Sequence, residues 1–84
     1  MRRRSRLEIY LEVLETIMCG CNKPTNIMYR CYLSWASLKE ILDSLVERGL
    51  VRVVERNGKR LYLITESGRE VINRLKETQS LLSA

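Results

Sequence analysis

The side chains that stand out for their chemistry are cations in two short segments. The first segment holds four of the 15 basic residues of the chain: Arg2, Arg3, Arg4 and Arg6. The second runs from residue 52 to residue 60 and sets four cations against the single acid Glu55: Arg52, Arg56, Lys59 and Arg60. The formal net charge is +5, and the remaining seven cations and nine acids leave −2 elsewhere. Because such cations bind phosphate, this polarity predicts a polyanionic partner.

Helix stability does not explain the first of these segments. Cations beside the N-terminus of a helix oppose the positive end of its dipole, at a cost of about 0.3–1 kcal/mol each. A phosphate or minor-groove contact would explain them, and the alternative is a solvated terminus that aids solubility. We expect residues 1–5 to form a basic arm and residues 6–82 to form one domain.

Three cysteines are the remaining reactive side chains, Cys19, Cys21 and Cys31. A structural zinc site needs four ligands, and this chain has no histidine, so two chains would have to share one site. We expect free thiols, with Cys31 as a small core residue. The sequence also shows no glycine-rich phosphate loop and no group suited to proton transfer at neutral pH. It therefore predicts neither an enzyme nor a bound cofactor.

The composition is that of a small globular domain, with 45% hydrophobic and 30% charged residues in a chain of 84. The longest apolar runs are only a few residues, so we expect no membrane span, and no apolar signal region follows the basic start. These features predict a cytoplasmic, nucleoid-associated protein. A chain this small buries a limited core, and dimerisation would add to that core.

The spacing of apolar residues predicts three helices before the second basic segment. Ser5 followed by Glu8 fits a capping box that starts a first helix, and Gly20 ends it. Pro24 suits the first turn of a short second helix that runs to about Cys31. A third helix is capped by a serine and carries apolar residues at helical spacing from residue 38 to residue 46.

The second basic segment coincides with a predicted β-hairpin. Asn57-Gly58 is a preferred two-residue hairpin turn, and apolar residues alternate on both sides of it. Counting outward from the turn places three pairs opposite each other: Val53 and Tyr62, Val51 and Ile64, and Glu55 and Arg60. Thr65 can cap a final helix from Glu66 to about Leu82. The predicted fold is therefore mainly α with a small hairpin, in the order α-α-α-β-β-α of a winged helix-turn-helix.

Several segments resemble the archaeal winged-helix family of small DNA-binding regulators and chromatin-associated proteins. The resemblance rests on Ile27-Met28-Tyr29-Arg30, Leu33-Ser34, Leu45-Val46-Glu47-Arg48-Gly49-Leu50-Val51 and Tyr62-Leu63-Ile64-Thr65-Glu66-Ser67-Gly68. It covers nearly the whole chain and implies dimeric DNA binding. In the better-known members a longer C-terminal helix forms an antiparallel coiled coil, whereas here that helix stops near Leu82.

A helix-turn-helix presents the start of its second helix to the major groove of DNA. We therefore expect a double-stranded DNA-binding protein, either a transcriptional regulator or a chromatin-associated protein, with residues 35–48 as the recognition helix and a basic wing at residues 56–60. Three acids of that helix, Glu40, Asp43 and Glu47, would limit its approach to the DNA backbone. The residues expected to contact DNA are Arg2, Arg3, Arg4, Arg6, Arg30, Ser34, Trp35, Ser37, Lys39, Arg56, Lys59 and Arg60. For Trp35, a core or partner contact is the alternative.

The apolar side chains of the first helix cover an arc of roughly 200°, which exceeds one core-facing stripe. This width predicts a homodimer, with interface residues Ile9, Val13, Leu75 and Leu82. Two other functions fit the same fold. One is a protein-interaction module of the transcription machinery. The other is a thiol-responsive or metal-responsive regulator that uses Cys19 and Cys21.

Overall fold

The computed structural model describes residues 4–83, and the side chains of this range up to residue 78. The elements follow in the predicted order: α1 Arg6–Met18, α2 Pro24–Cys31, α3 Trp35–Glu47, β1 Val51–Arg56, β2 Lys59–Ile64 and α4 Glu66–Ser83. Within this range no helix is both long and apolar enough to cross a membrane.

Local signals set both ends of α1. The Ser5 hydroxyl accepts a hydrogen bond from the Glu8 amide at 3.1 Å, which is the first half of the predicted capping box. The helix ends at Met18, and Gly20 adopts a φ of 99° that turns the chain toward α2. The glycine therefore terminates the helix as predicted, two residues beyond its last helical position.

Helix α1 lies at the centre of the domain and packs against α2, β2 and α4. Its residues Leu11, Leu14 and Ile17 are at most 8% exposed, and Val13 is fully buried. The prediction of Val13 as a dimer contact is therefore wrong. The wide apolar arc of this helix serves three neighbours within its own chain, so its width does not require a partner molecule.

Helices α2 and α3 are joined by a tight turn. Tyr32 takes the left-handed conformation with a φ of 53°, and the Leu33 amide donates to the Met28 carbonyl at 3.1 Å. Helix α3 then buries one side, and Leu38, Leu42 and Leu45 have no exposed surface. Because these leucines face the core, the opposite side of α3 faces solvent.

The β-hairpin has the predicted register, with Val51 opposite Ile64 and Val53 opposite Tyr62. The Thr65 hydroxyl links the hairpin to α4, since it donates to the Gly49 carbonyl at 2.7 Å and accepts from the Gly68 amide at 3.1 Å. These bonds confirm Thr65 as the predicted helix cap and hold the base of the hairpin against the end of α3.

Candidate nucleic-acid interface

The exposed side of α3 is acidic. At 100° per residue, Glu40, Asp43 and Glu47 lie opposite the buried side of the helix, and all three are exposed. Lys39 is the one cation of Trp35–Glu47, and its Nζ lies 3.3 Å from Oδ2 of Asp43. The helix therefore presents a negative ridge, which disfavours a course along the phosphate backbone.

Two serines occupy the start of α3. The Ser34 Oγ accepts from the Ser37 amide at 3.2 Å and donates to the Ser37 Oγ at 3.1 Å. Ser34 is thus the cap of α3, as predicted, and both hydroxyls are exposed. The Ser37 Oγ keeps its own proton, so it has a hydrogen to donate to a phosphate or a base edge.

The two faces of the hairpin differ in charge. One face carries Val51 and Tyr62 into the core, and farther out on the same face Glu55 lies 3.8 Å from Arg60. The opposite face, the wing face, combines exposed cations with half-buried apolar side chains: Arg52, Arg56, Lys59, Val54, Leu61 and Leu63. Within residues 4–83, no ion pair involves a cation of the wing face.

The wing face adds Arg52 to the candidate site, and the sequence-based set of contacts omitted it. Strand residues two apart point to the same side of a sheet, so Arg52 and Arg56 share a face of β1. The register then places Lys59 directly opposite Arg56. The same two-residue period could have identified Arg52 from the sequence. The same period excludes Arg60 from the wing face, because Arg60 lies on the opposite face of the hairpin, across from Glu55.

Arg4 is held within the fold. Its guanidinium donates to the Cys31 carbonyl at 2.8 Å and pairs with the Glu12 carboxylate. It thereby joins the start of the domain to the C-terminal end of α2, where carbonyl groups lack helical partners. The positive charge of Arg4 is therefore partly neutralised by Glu12 of the same chain. Arg2 and Arg3 lie outside the described residues.

Arg6 lies on another side of α1, where a cleft of about 460 Å³ separates the start of this helix from α3. The cleft is lined by Arg6, Leu7, Tyr10, Glu40, Ser44 and Arg48. The pKa of Tyr10 is lowered, chiefly by the hydrogen-bonding side chain of Ser44 and also by the nearby charges of Arg6 and Arg48, while burial opposes this. The positive charge of Arg6 is thus directed toward α3 rather than toward the side that holds Arg4.

The remaining predicted contacts lie around α2. Arg30 is exposed and lines a groove of about 730 Å³ together with Arg4, Glu12 and Tyr32. Trp35 is 48% exposed and lines a separate groove of about 400 Å³ with Pro24, Thr25 and Met28. This exposure excludes the core as the environment of Trp35 and leaves a contact with DNA or with a partner. Arg6 and Ser37 both line a further cleft of about 290 Å³ between α1 and α3, whereas Trp35 lines the groove beside α2.

A family model described as winged helix-turn-helix matches residues 3–83. The chain belongs to the winged helix-turn-helix family. This membership confirms the fold predicted from the sequence, and it agrees with the prediction that the protein is not an enzyme.

The similar proteins include several from archaea. An uncharacterized protein of Methanocaldococcus jannaschii is 27% identical over 82 residues, which cover 98% of this chain and 80% of that protein. The fold resembles the crystal structure of Sso10a-2, a DNA-binding protein from Sulfolobus solfataricus, with a TM-score of 0.81 and 23% identity over 95% of this chain and 83% of the other. It also resembles the transcriptional regulator BldR of Sulfolobus solfataricus, with a TM-score of 0.77, 19% identity and 89% of this chain covered. The match spans 56% of BldR.

The predicted dimer contacts of this winged-helix protein fall into three groups. Val13 is buried in its own chain, as described above. Ile9 and Leu75 are half-buried and pack at the edge of the core, so part of each side chain reaches the surface. The side chain of Leu82 lies outside the described residues.

The three cysteines differ in exposure. Cys19 is exposed at the end of α1, Cys21 is half-buried, and Cys31 is 2% exposed with its Sγ 3.5 Å from the Thr16 hydroxyl. The prediction that Cys31 is a core residue is confirmed. Within residues 4–83, no group of three or more histidine, cysteine or acidic side chains is arranged to hold a metal ion.

Proposed function

We propose that this winged-helix protein binds double-stranded DNA, with the wing face on the phosphate backbone and the start of α3 in the major groove. The observation that carries this proposal is the wing face itself. It places Arg52, Arg56 and Lys59 on one side of the hairpin, while the only acid of the hairpin, Glu55, lies on the other side. A phosphate backbone meets three cations there and no opposing carboxylate.

Helix α3 contributes differently from the wing. Its acidic ridge repels phosphate, so the contacts that it makes must be few and close to its N-terminal end. Ser37 and Lys39 are exposed there and can reach base edges or a phosphate, and Arg6 lies on the flank toward α1. We therefore assign most of the affinity to the wing and most of the sequence preference to α3.

A regulatory or chromatin-associated role on the nucleoid is the biological setting that we propose. The DNA-binding protein Sso10a-2 and the transcriptional regulator BldR share the fold, which supports this setting. We further propose that the protein acts as a homodimer through the surface parts of Ile9 and Leu75, with Leu82 as an additional contact to the partner. The arm residues Arg2 and Arg3 are proposed as additional contacts to DNA. A small core and the family resemblance both favour a dimer.

The test compares two single variants of the same hairpin, Arg56→Ala and Arg60→Ala. Both remove one positive charge near the turn, but Arg56 lies on the wing face and Arg60 lies beside Glu55 on the other face. Each lost phosphate contact reduces the slope of log affinity against log salt by about 0.9 per chain. We expect Arg56→Ala to flatten the slope by about one per chain and Arg60→Ala to leave it nearly unchanged.

Fluorescence anisotropy with a labelled duplex at several salt concentrations measures these slopes. The triple variant Arg52→Ala, Arg56→Ala, Lys59→Ala should lose most duplex binding. A matched triple variant on α4, Arg69→Ala, Arg74→Ala, Lys76→Ala, removes the same charge and should retain more of it. Equal losses in the two triple variants would show that only net charge matters. Unchanged duplex binding in the triple variant of the wing would contradict this proposal and would favour the alternative function, a protein-interaction module.

A further inference from the structure

The surface of the helix-turn-helix carries a group of large, exposed aromatic side chains. The chain has five aromatic residues, and three of them are exposed: Tyr29 at 69%, Tyr32 at 88% and Trp35 at 48%. All three fall within seven residues, across the turn between α2 and α3. Single exposed apolar side chains are common on protein surfaces, whereas a group of large ones marks a binding surface. We call this group the aromatic turn.

The backbone holds the aromatic turn in a defined arrangement. The Tyr32 amide donates a hydrogen bond to the Tyr29 carbonyl at 3.4 Å, and Trp35 is the first residue of α3. Tyr32 has a φ of 53°, a left-handed conformation that glycine or asparagine adopts at lower cost. A bulky side chain at such a position is disfavoured by local conformation, so its presence there points to a role for the ring.

The charge around the aromatic turn is positive. Residues 16–39 contain Lys23, Arg30 and Lys39 and no acid. Two acids of α1, Glu12 and Glu15, line the groove beside Tyr32, and each lies within salt-bridge distance of a cation, Arg4 and Lys76 respectively. The groove beside Tyr32 therefore combines Arg30 with acids that are each paired with a cation, and Lys39 is itself paired with Asp43.

We propose that the aromatic turn binds single-stranded DNA by stacking its rings on unpaired bases, with Arg30 and Lys23 on the phosphates. Aromatic side chains in a positively charged setting are the common design for binding unpaired strands, because every base has a face on which a ring can stack. Bases in a duplex stack on one another and offer only their edges, so this activity goes beyond the proposed duplex binding. A protein partner fits less well, because the other large exposed apolar residues, Leu7 and Val53, lie on α1 and β1.

Trp35 provides a direct probe, because it is the only tryptophan of the chain. An oligothymidine of about 16 nucleotides should quench its fluorescence in a saturable titration. A strand of equal length and charge that lacks bases should bind about ten-fold more weakly, because it retains the phosphates and loses the stacking. Equal binding of the two strands would overturn the proposal, since it would show that the surface recognises phosphate alone.

Variants then locate the contact. Tyr32→Ala should weaken oligothymidine binding about ten-fold, Tyr32→Phe should retain it, and Leu7→Ala should serve as the control for loss of exposed apolar area. Arg56→Ala should weaken the duplex while leaving the quenching of Trp35 by the single strand within about two-fold, so failures of the two proposals are distinguishable. Circular dichroism and thermal melting verify that each variant is folded. Oligothymidine affinity that is unchanged in a folded Tyr29→Ala, Tyr32→Ala double variant would also overturn the proposal.

Discussion

Arg4 shows how one residue of a charged run can have a different role from its neighbours. In the sequence it is one of four arginines that suggest a phosphate-binding arm. In the fold it bonds the Cys31 carbonyl, 27 residues away, and pairs with Glu12. Arg6, two residues later, is exposed and directed toward α3. The two arginines should therefore differ in their effects on stability and on DNA affinity.

We expect Arg4→Ala to lower the free energy of unfolding by about 1 kcal/mol, because a charge-assisted hydrogen bond is lost at a partly exposed site. Urea denaturation measures this change. Arg6→Ala is the matched control, and it should change stability by less than about 0.5 kcal/mol while reducing duplex affinity. Equal stability of the two variants would contradict the assignment of Arg4 to the fold.

At the scale of elements, the joint between the hairpin and α4 depends on a close backbone approach at Gly68. A Cβ atom at this position would lie 2.2 Å from the Leu50 carbonyl oxygen, which is closer than real Cβ contacts. The Thr65 hydroxyl bonds the Gly68 amide on the same side. Position 68 therefore requires glycine, because any side chain would clash with the backbone of Leu50.

Gly68→Ala should destabilise the protein by about 2 kcal/mol or more, because the backbone must shift to relieve the clash. The neighbouring exposed Ser67 offers a control, since Ser67→Ala adds no atom to the joint and should be close to neutral. Thermal unfolding followed by circular dichroism compares the two. A melting temperature that is equal in both variants would mean that the joint tolerates a methyl group.

The acidic ridge of α3 leads to a prediction at the same scale. Glu40→Gln with Glu47→Gln removes two exposed charges without changing shape and should raise the affinity for random duplex several-fold, because phosphate repulsion falls. Glu66→Gln with Glu70→Gln, two exposed acids of α4, is the control of equal charge. If the α4 pair raises affinity as much as the α3 pair, the ridge does not face the DNA.

At the scale of the whole molecule, dimerisation must use surface that the folded chain leaves uncovered. Val13 is fully buried, whereas Ile9 and Leu75 are half-buried at the edge of the core. Sedimentation at micromolar concentration should show about twice the chain mass. Ile9→Glu should shift the protein toward monomer while it stays folded, because the carboxylate can reach solvent. Val13→Glu should instead unfold it, because a charge would be buried without a partner.

Much of the candidate surface could be predicted from the sequence, and the omission of two exposed tyrosines has a physical cause. The wing was found because charge and the Asn57-Gly58 turn coincide in one short segment. Arg52 was omitted although its position relative to Arg56 carried the necessary periodicity. Tyr29 and Tyr32 were not identified as surface residues, because aromatic side chains on helical segments are as often buried as exposed, and only the packing of α2 decides which occurs.

The features that the sequence by itself determined are those that depend on near neighbours in the chain. Ser34 caps α3 through a bond to a residue three positions on, and the hairpin register follows from its turn. Such bonds form whenever the local chain folds, so residue type and spacing are sufficient to predict them. The tertiary structure alone decided that Val13 is enclosed by other elements of its own chain and that Arg4 bonds the end of α2. Both depend on how distant segments pack, because a side chain contacts whatever surface the folded chain places beside it, and sequence separation does not specify that surface.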